Sequence, residues 1–303
     1  MKTIKNVLIC GLGAIGSIYA VKLHEDKNVN LKVLVDETRF ERYKKEPLLF
    51  NGKEYFFDYV TPQDSSTADL IIIATKSTSL DWVIKAISGF VGKDTIILSL
   101  LNGLCSEEML AESFGADNVL YSYYIGHTST RIGRNVTHDG VYTTVYGEKD
   151  NTVYSSNVSA VKNFFDLTGI HYKIPEDMEY SRWWKFLVNV GYNQASAVLE
   201  APYKVFQNSQ RANNIALHLM QEAVEVAKAS GVKNTEKLIP EVLEILKTMI
   251  PEAKTSLLQD IEAHRKTEVD IFGGYVSTLG KKYNIKTPYN DVIVEIIKAI
   301  EER

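Results

Sequence analysis

A lysine and two asparagines recur at four-residue intervals in the second half of the chain, at Lys185, Asn189 and Asn193. On a helix this spacing places the three side chains along one face. The neighbouring residues are mostly apolar, so the stripe must face water or a polar cavity, since an unpaired buried polar group costs about 1–3 kcal/mol. An ammonium can donate a proton and stabilise a negative charge, and two amides can hold a ligand by hydrogen bonds. The alternative is the outer face of an amphipathic helix.

A second polar segment runs from Thr255 to Gly274 and contains Ser256 and Glu268. Its hydroxyl and carboxylate are further candidates for substrate contact, and the alternative is a charged surface helix with capping hydroxyls. On one straight helix the two side chains would lie about 18 Å apart along the axis. They can share a small substrate only if the segment bends or if Ser256 precedes the helix, and the sequence leaves both possibilities open.

The start of the chain has a glycine-rich turn between a strand pattern, residues 7–10, and a helix pattern, residues 17–23. This order is the dinucleotide-binding fingerprint. Gly11 allows a tight turn, Gly13 lets a pyrophosphate approach the backbone, and Gly16 lets the helix pack closely on the strand. The free N–H groups at the helix start favour the phosphate charge. The predicted cofactor-binding residues of this turn are Gly11, Leu12, Gly13, Ala14, Ile15 and Gly16. The alternative is a glycine-rich turn without a ligand.

Three further candidates follow predicted strands: Asp36, Lys76 and Asn102. In a doubly wound sheet, ligands bind beyond the carboxyl ends of the strands, so all three are expected near the cofactor. The alternative for Lys76 is an ordinary solvated lysine, and the alternative for Asn102 is a plain turn. Asp36 is typical of an NAD site, because a carboxylate there binds ribose hydroxyls and repels a 2′-phosphate. Arg39 and Arg42 follow it and favour a phosphate.

These residues need a parallel sheet to bring them to one edge, and the first half of the chain predicts one. Apolar runs of strand type alternate there with helix patterns, which indicates right-handed crossovers and a doubly wound α/β sheet. The predicted strands are residues 7–10, 31–35, 69–74, 95–100, 121–124, 141–146 and 170–174. Asn51-Gly52 predicts a hairpin turn.

From about residue 175 onward, helical periodicity replaces the strand patterns, for example over residues 215–229 and 242–249. We therefore predict an N-terminal Rossmann-type domain, residues 1–175, and an all-α C-terminal domain, residues 176–303, that carries the substrate-binding and catalytic residues. The long apolar helices after residue 205 are consistent with a homodimer.

Composition narrows the class of protein. The 303 residues are 45% hydrophobic and 24% charged, with a net charge of −4 and no basic block, which disfavours a nucleic-acid partner. No apolar stretch reaches membrane-spanning length. The two cysteines cannot form a disulfide framework and fit a reducing cytoplasm. No metal site is predicted.

Taken in order, these segments resemble the ketopantoate reductase family over nearly the whole chain. The motifs that carry the resemblance are Gly11–Gly16, Thr75-Lys76, Leu101-Asn102-Gly103, the Trp-x-Lys-x-x-x-Asn-x-x-x-Asn run from Trp183 to Asn193, the stretch Ser256–Gly274 and Thr287-Pro288-Tyr289-Asn290. The resemblance implies NADPH-dependent reduction of 2-dehydropantoate to (R)-pantoate, a step in pantothenate and coenzyme A biosynthesis.

The resemblance also implies roles for single residues. Lys185 is similar in position to the family's catalytic lysine, and Glu268 to its active-site carboxylate. The residues that are similar to its substrate-contacting set are Asn102, Asn189, Asn193 and Ser256. Lys76 corresponds to a cofactor-side residue, and Thr130 to a position near the nicotinamide ribose.

Two positions depart from the family pattern. Tyr203 stands where the family often has an asparagine, which leaves open a related reductase of another branched 2-oxo acid. Asp36 stands where a basic residue is common, which leaves NADH open beside NADPH. A third alternative is a protein that senses NAD(P) without turnover, and Lys185 and Glu268 disfavour it, since a sensor needs no proton donor.

Overall fold

Twelve strands form two sheets in the computed structural model, which describes residues 2–126 and 129–303. In chain order they are β1 (Asn6–Cys10), β2 (Asn30–Leu34), β3 (Leu48–Phe50), β4 (Lys53–Tyr55), β5 (Tyr59–Val60), β6 (Leu70–Ile73), β7 (Ile96–Ser99), β8 (Val119–Gly126), β9 (Ser129–Ile132), β10 (Asn135–His138), β11 (Tyr142–Gly147) and β12 (Tyr172–Lys173). The larger sheet has the order β12-β11-β8-β7-β6-β1-β2-β5. Its strands from β8 to β5 are parallel, whereas β11 runs antiparallel to β8.

Helices cover both faces of the larger sheet, as the doubly wound prediction requires. The helices of this part of the chain are α1 (Ala14–His24), α2 (Glu37–Tyr43), α3 (Leu80–Ile87), α4 (Ser106–Phe114) and α5 (Ser156–Thr168). Alternate residues of β1 enter different cores, because successive strand side chains point to opposite faces. Val7 and Ile9 pack with α1 and α5, while Leu8 and Cys10 pack with α3 and α4. Burial on both faces explains the continuous apolar runs of the central strands.

The smaller sheet has the order β4-β3-β10-β9 and was only partly predicted. The hairpin at Asn51 and Gly52 is confirmed, and both residues have positive φ angles (49° and 83°), as a type I′ turn requires. The sequence did not predict β5, β9 or β10. Strand β9 reaches the start of α1, where the Ser129 hydroxyl donates to the Ala14 carbonyl (3.1 Å).

The chain divides into two units, one ending at Met178 and one from Glu179 to Arg303. Within the described residues, the regular elements of the second unit are all helical. They are α6 (Met178–Val188), a π-helical turn (Asn189–Asn193), α7 (Gln194–Leu199), α8 (Tyr203–Asn208), α9 (Gln210–Ala229), α10 (Leu238–Thr248), α11 (Ser256–Glu262), α12 (Gly273–Tyr283) and α13 (Pro288–Glu301). Short 3₁₀ turns lie at Ser77–Ser79, Ser88–Phe90, Ala116–Asn118, Thr235–Lys237 and Val269–Ile271. No helix within residues 2–126 and 129–303 is long and apolar enough to cross a membrane.

The segment with Lys185, Asn189 and Asn193 is helical, as the four-residue spacing predicts, but a π-helical turn separates α6 from α7 within it. Such turns use i→i+5 bonding and are frequent at functional sites. The side chain of Gln194 donates to the Val190 carbonyl (2.7 Å) inside this turn. A side-chain bond to a helix carbonyl competes with the regular backbone pattern, which sequence periodicity does not report.

Candidate active site

The glycine turn after β1 leaves room for a phosphate. Gly11 has φ +101°, and a Cβ there would lie 2.7 Å from the Ala74 carbonyl oxygen. A Cβ at Gly16 would overlap the Gly11 carbonyl oxygen, so the close packing predicted there is present. At Gly13 the nearest protein atom would be 3.7 Å away, which is an ordinary contact. The protein itself therefore does not require glycine at Gly13, and the open space fits a ligand that approaches the backbone.

Helix α1 begins at Ala14 without a side-chain cap on its first N–H groups. Uncapped N–H groups at a helix start are anion-binding groups, and this helix has 11 residues. Thr75 adds a second polar group at the same edge of the sheet. Its Oγ1 is buried and has no hydrogen-bond partner among the described residues. The turn thus provides groups that a pyrophosphate and its ribose can satisfy.

Lys76 and Asn102 follow neighbouring parallel strands, β6 and β7. Lys76 is exposed and immediately precedes a 3₁₀ turn. Asn102 is partly buried, and the next residue, Gly103, has φ +93°. Both side chains belong to segments at the carboxyl edge of the sheet, where the glycine turn also lies.

Asp36 is the N-cap of α2, and both of its carboxylate oxygens contact Arg39. Oδ1 accepts from the Arg39 backbone N–H (2.7 Å), and Oδ2 pairs with its guanidinium (2.9 Å). Asp36 is thus paired with Arg39 rather than free to accept hydrogen bonds from a ligand. The charge of Asp36 is therefore partly compensated within α2.

Sequence reasoning missed Arg131, which contacts the glycine turn from β9. Its guanidinium donates to the Leu12 carbonyl and to the Tyr43 hydroxyl (3.2 Å). Ser129, two residues earlier, also contacts this turn. Thr130 lies between them and is exposed, so the strand alternation places its side chain on the opposite face of β9. The hairpin sequence Arg131-Ile132-Gly133-Arg134, with two arginines beside a turn glycine, is the signal that could have drawn attention to this segment.

In the second unit, the structure brings together three of the predicted substrate-contacting side chains. Asn193 Nδ2 lies 3.3 Å from Asn189 Oδ1 and 3.2 Å from Ser256 Oγ. The two asparagines belong to the π-helical turn and are 3% and 5% exposed. Ser256 is the first residue of α11, and the Thr255 side chain caps that helix by accepting from the Leu258 N–H (3.2 Å). The arrangement presents amide and hydroxyl groups at one point, as recognition of a carboxylate or hydroxyl requires.

Lys185 lies one helical turn before Asn189 and is partly buried. Burial lowers the pKa of its ammonium from 10.5 to about 8. No carboxylate lies within ion-pair distance of it in the part of the chain that the structure describes. A lysine with a pKa near the working pH is suited to proton transfer.

Glu268 does not continue α11, because the chain turns between Glu262 and the 3₁₀ turn at Val269–Ile271. Two contacts hold this bend. Arg265 forms an ion pair with Asp260 (2.9 Å), and the Thr267 backbone N–H donates to the Glu301 carboxylate (2.7 Å). Glu268 itself is 6% exposed. The straight-helix alternative, with about 18 Å between Ser256 and Glu268, is therefore excluded.

Gln194 links the π-helical turn to the segment that follows Glu268. Its side chain is fully buried, its Nε2 donates to the Val190 carbonyl (2.7 Å) and its Oε1 accepts from the Gly273 N–H (3.0 Å). Nε2 also lies 3.3 Å from Asn290 Oδ1. The Glu222 carboxylate in turn accepts from the Asn290 backbone N–H (2.9 Å). This network fixes the start of α12 and the start of α13 relative to the asparagine cluster.

Two other features lie apart from these residues. A surface cavity of about 620 Å³ in the second unit is lined by residues between Ile261 and Arg303, and none of the candidate site residues lines it. Its position reflects the open bend after α11 rather than the asparagine cluster. Across residues 2–126 and 129–303, no three His, Cys, Asp or Glu side chains form a group that could hold a metal ion.

Family models match most of the chain. The model described as ketopantoate reductase PanE/ApbA matches residues 7–151, and the model described as ketopantoate reductase PanE/ApbA C terminal matches residues 177–301. A curated 2-dehydropantoate 2-reductase of Streptococcus pyogenes serotype M3 is 28% identical over 97% of both chains.

Solved structures match the fold over the same length. A complex of D-mandelate dehydrogenase with NADH and anilino(oxo)acetate has a TM-score of 0.86 and 24% identity, and the match covers 98% of both chains. A dimeric ketopantoate reductase from Staphylococcus aureus has a TM-score of 0.79 and 23% identity, with 98% of this chain and 99% of that chain covered.

Proposed function

The chain belongs to the ketopantoate reductase family and is an NAD(P)H-dependent oxidoreductase that acts on a 2-oxo acid, and we propose that it reduces 2-dehydropantoate to (R)-pantoate with NADPH, in pantothenate and coenzyme A biosynthesis. The observation that carries the proposal is the cluster of Asn189, Asn193 and Ser256, one helical turn from Lys185. It combines groups that hold a 2-oxo acid with a group that can protonate the product.

The residues of the second unit have distinct roles in this reaction. The amides of Asn189 and Asn193 and the hydroxyl of Ser256 hold the carboxylate and hydroxyl of the substrate by hydrogen bonds. The Lys185 ammonium stabilises the alkoxide that forms at the carbonyl oxygen and then donates its proton to that oxygen. Glu268 is the carboxylate that we assign to the same site, following the family pattern. Gln194 keeps the segment after Glu268 in register with the asparagines.

The first unit has the groups that a dinucleotide needs. The space at Gly13, the uncapped start of α1 and the unpartnered Thr75 hydroxyl fit a pyrophosphate and ribose. When bound, the reduced nicotinamide supplies the hydride. Lys76 and Asn102, at the carboxyl edge of the sheet, are the side chains that we assign to the cofactor there, and Asn102 to the substrate as well. Pairing of Asp36 with Arg39 supports NADPH, because it reduces the repulsion that Asp36 would exert on a 2′-phosphate.

A related 2-oxo acid is the second candidate substrate, and Tyr203 is the residue that favours it. Its ring packs edge-on against Tyr192, with 6.5 Å between ring centroids, and burial raises its pKa to about 12. Tyr203 therefore presents a neutral phenol at the position where the family often has an asparagine amide. A bulky aromatic group at that position would suit a different branched side chain on the substrate.

An oxidation assay of the reduced cofactor across a panel of 2-oxo acids tests the proposal. We expect 2-dehydropantoate to give the highest kcat/KM, and Lys185→Ala to lose most of the turnover. A higher kcat/KM for another branched 2-oxo acid would replace 2-dehydropantoate as the substrate. Tight cofactor binding without turnover of any oxo acid would favour a sensing protein. Arg211→Ala replaces an exposed residue of α9 and is the matched control, because it should have the same activity as the wild-type protein.

A homodimer is part of the same proposal. Helix α13 exposes Tyr289, Val292 and Ile296 on successive turns. Exposed apolar stripes of this kind often mark subunit contacts. Light scattering on the purified chain measures the mass directly, and a monomer at assay concentration would contradict this part.

A further inference from the structure

Three arginine side chains surround the hydroxyphenyl ring of Tyr43, at the end of α2. Arg131 donates to its hydroxyl (3.2 Å), the Arg134 guanidinium carbon lies 3.8 Å from the ring centroid, and that of Arg42 lies 5.1 Å from it. Tyr43 is buried, whereas Arg42 is exposed. Three like charges around one ring repel one another, so the group is electrostatically unfavourable without an anion.

The protein supplies carbonyl oxygens to these arginines but no carboxylate. Arg134 donates to the Pro47 carbonyl (3.0 Å) and also to the Glu46 backbone carbonyl, and Arg131 donates to the Gly133 carbonyl (2.8 Å). Within residues 2–126 and 129–303, no Asp or Glu side chain lies within ion-pair distance of any of the three. The Nη1 atom of Arg134 is buried and has no partner among those residues. The positive charge of the cluster is therefore left uncompensated by the folded chain.

The pKa of Tyr43 reflects the same electropositive surroundings. Burial by itself raises the pKa of a tyrosine, but the hydrogen bond and charge of Arg131, with the charge of Arg134, lower the pKa of Tyr43 below its ordinary value. The field at this point favours a negative charge. Asp36 does not cancel it, because both of its oxygens are bonded to Arg39.

The cluster lies beside the glycine turn, because Arg131 also bonds the Leu12 carbonyl. In this fold the pyrophosphate sits at the start of α1 and the adenosine ribose near the end of the second strand. Tyr43 ends the helix that follows that strand, so the ring that the three arginines share lies toward the ribose, and Arg131 spans from this ring to the glycine turn. A phosphate on the ribose is the anion that would reach them.

We propose that Arg42, Arg131 and Arg134 form the site for the ribose 2′-phosphate of NADPH, with Arg131 as the main determinant of cofactor selectivity. This assignment rests on the proposed use of a nicotinamide dinucleotide. It differs from selection by Arg39, which follows the second strand directly but is paired with Asp36. Selectivity is then set by β9, a strand of the smaller sheet, rather than by the loop after β2.

The test is a calorimetric titration of the full chain with NADPH and with NADH, in the absence of any oxo acid. We expect wild-type protein to bind NADPH at least about tenfold more tightly than NADH. Arg131→Ala should weaken NADPH binding by about tenfold to a hundredfold and change NADH binding by less than about twofold. Arg131→Lys should recover part of the affinity, because it restores a point charge without the planar fork. Retained NADH binding also shows that the variants are folded.

Two comparisons sharpen the result. The distant Arg211→Ala should leave the ratio of the two affinities unchanged. Arg39→Ala frees the Asp36 carboxylate and should weaken NADPH binding less than Arg131→Ala does. Adenosine 2′-monophosphate should bind wild-type protein more tightly than adenosine 5′-monophosphate. Equal binding of NADPH and NADH by wild-type protein would overturn the inference. So would parallel losses of both cofactors in Arg131→Ala, or a selective NADPH loss in Arg39→Ala alone. Because no oxo acid is present, a failure of the proposed reaction would leave these outcomes unchanged.

Discussion

In the proposed reaction Lys185 is the proton donor, so its lowered pKa should make the rate of ketone reduction depend on pH in a range where an ordinary lysine would not titrate. Burial lowers this pKa from 10.5 to about 8. At about 1.4 kcal/mol for each pH unit, the difference amounts to about 3 kcal/mol against the charged form. A general acid must be protonated before it can act, so activity should fall as the pH rises through the pKa of this group.

We therefore expect kcat/KM to be constant below about pH 7, to reach half its maximum near pH 8 and to fall about tenfold per pH unit above that. The parameter kcat/KM is chosen because it reports the free enzyme, whereas a bound carboxylate would raise the lysine pKa in the complex and move the kcat profile to higher pH. The measurement is oxidation of the reduced cofactor by 2-dehydropantoate across this pH range.

Two substitutions separate proton donation from charge. Lys185→Ala should lower kcat by about a hundredfold or more, with little change in NADPH affinity. Lys185→Arg keeps a positive charge that does not titrate in this range, so its residual activity should show no fall near pH 8. A wild-type profile that stays flat to about pH 9.5, or near-normal kcat in Lys185→Ala, would refute the reasoning.

The same shift has a consequence for stability, and its sign is opposite to that of the usual ion-paired lysine. The pKa in the folded state, about 8, is below the unfolded value of 10.5, so the unfolded chain binds more protons between these pH values. The free energy of unfolding should rise with pH across this window. Below it, Lys185→Met should raise the free energy of unfolding by up to about 3 kcal/mol, because it removes a buried charge while keeping the volume. Urea titrations at pH 7 and pH 10 measure the difference, and equal effects of the substitution at both would contradict it.

Three further predictions follow from the packing and the hydrogen bonds. Asn193→Ala and Ser256→Ala should raise KM for the oxo acid by the equivalent of about 1–3 kcal/mol and leave the NADPH affinity unchanged. A loss of NADPH affinity with an unchanged KM for the oxo acid would show that these residues do not contact the substrate. Gly16→Ala should lower the melting temperature strongly, because its Cβ would overlap the Gly11 carbonyl oxygen, and a wild-type melting curve would refute this. Gln194→Leu leaves buried backbone groups unpaired, so urea titration should show a loss of about 1–3 kcal/mol, and a neutral effect would contradict the bridging role.

Local sequence patterns were sufficient for the elements whose structure depends on neighbouring residues. The strand before Gly11 and the apolar strands β6 and β7 were found because both faces of each strand are buried, and only apolar residues tolerate that. The Asn51-Gly52 turn was found because its residue types suit positive φ angles.

The strands that were missed depend on partners far away in the chain. Strands β9 and β10 contain threonine, arginine and asparagine, which are ordinary loop residues in a sequence window. β10 becomes a strand by pairing with β3, and the Asn51 side chain donates to the backbone carbonyl of His138, 87 residues away. Such a contact leaves no pattern in the local sequence, so the smaller sheet could not be predicted from it.

Within the candidate site, the four-residue spacing was sufficient to predict that Asn189 and Asn193 share a face. It does not report the π-helical turn, where the Gln194 side chain bonds the Val190 carbonyl and also the N–H of Gly273, 79 residues away. The position of Ser256 at a helix start was foreseeable, because Thr255 is a favoured N-cap residue. The bend before Glu268 was not foreseeable, because it depends on the hydrogen bond between Thr267 and the distant Glu301.

Asp36 shows why an acidic residue at the end of the second strand does not by itself decide the cofactor. The usual interpretation assumes a carboxylate that is free to accept ribose hydroxyls. Here one oxygen caps α2 and the other pairs with Arg39, so the residue acts first on its own helix. The uncompensated positive charge nearby belongs to arginines on α2 and on the β9–β10 hairpin, which folding brings together around Tyr43. Under the proposed assignment of the 2′-phosphate site, cofactor choice depends on a tertiary contact between Arg131 and the glycine turn rather than on the identity of one residue in a motif.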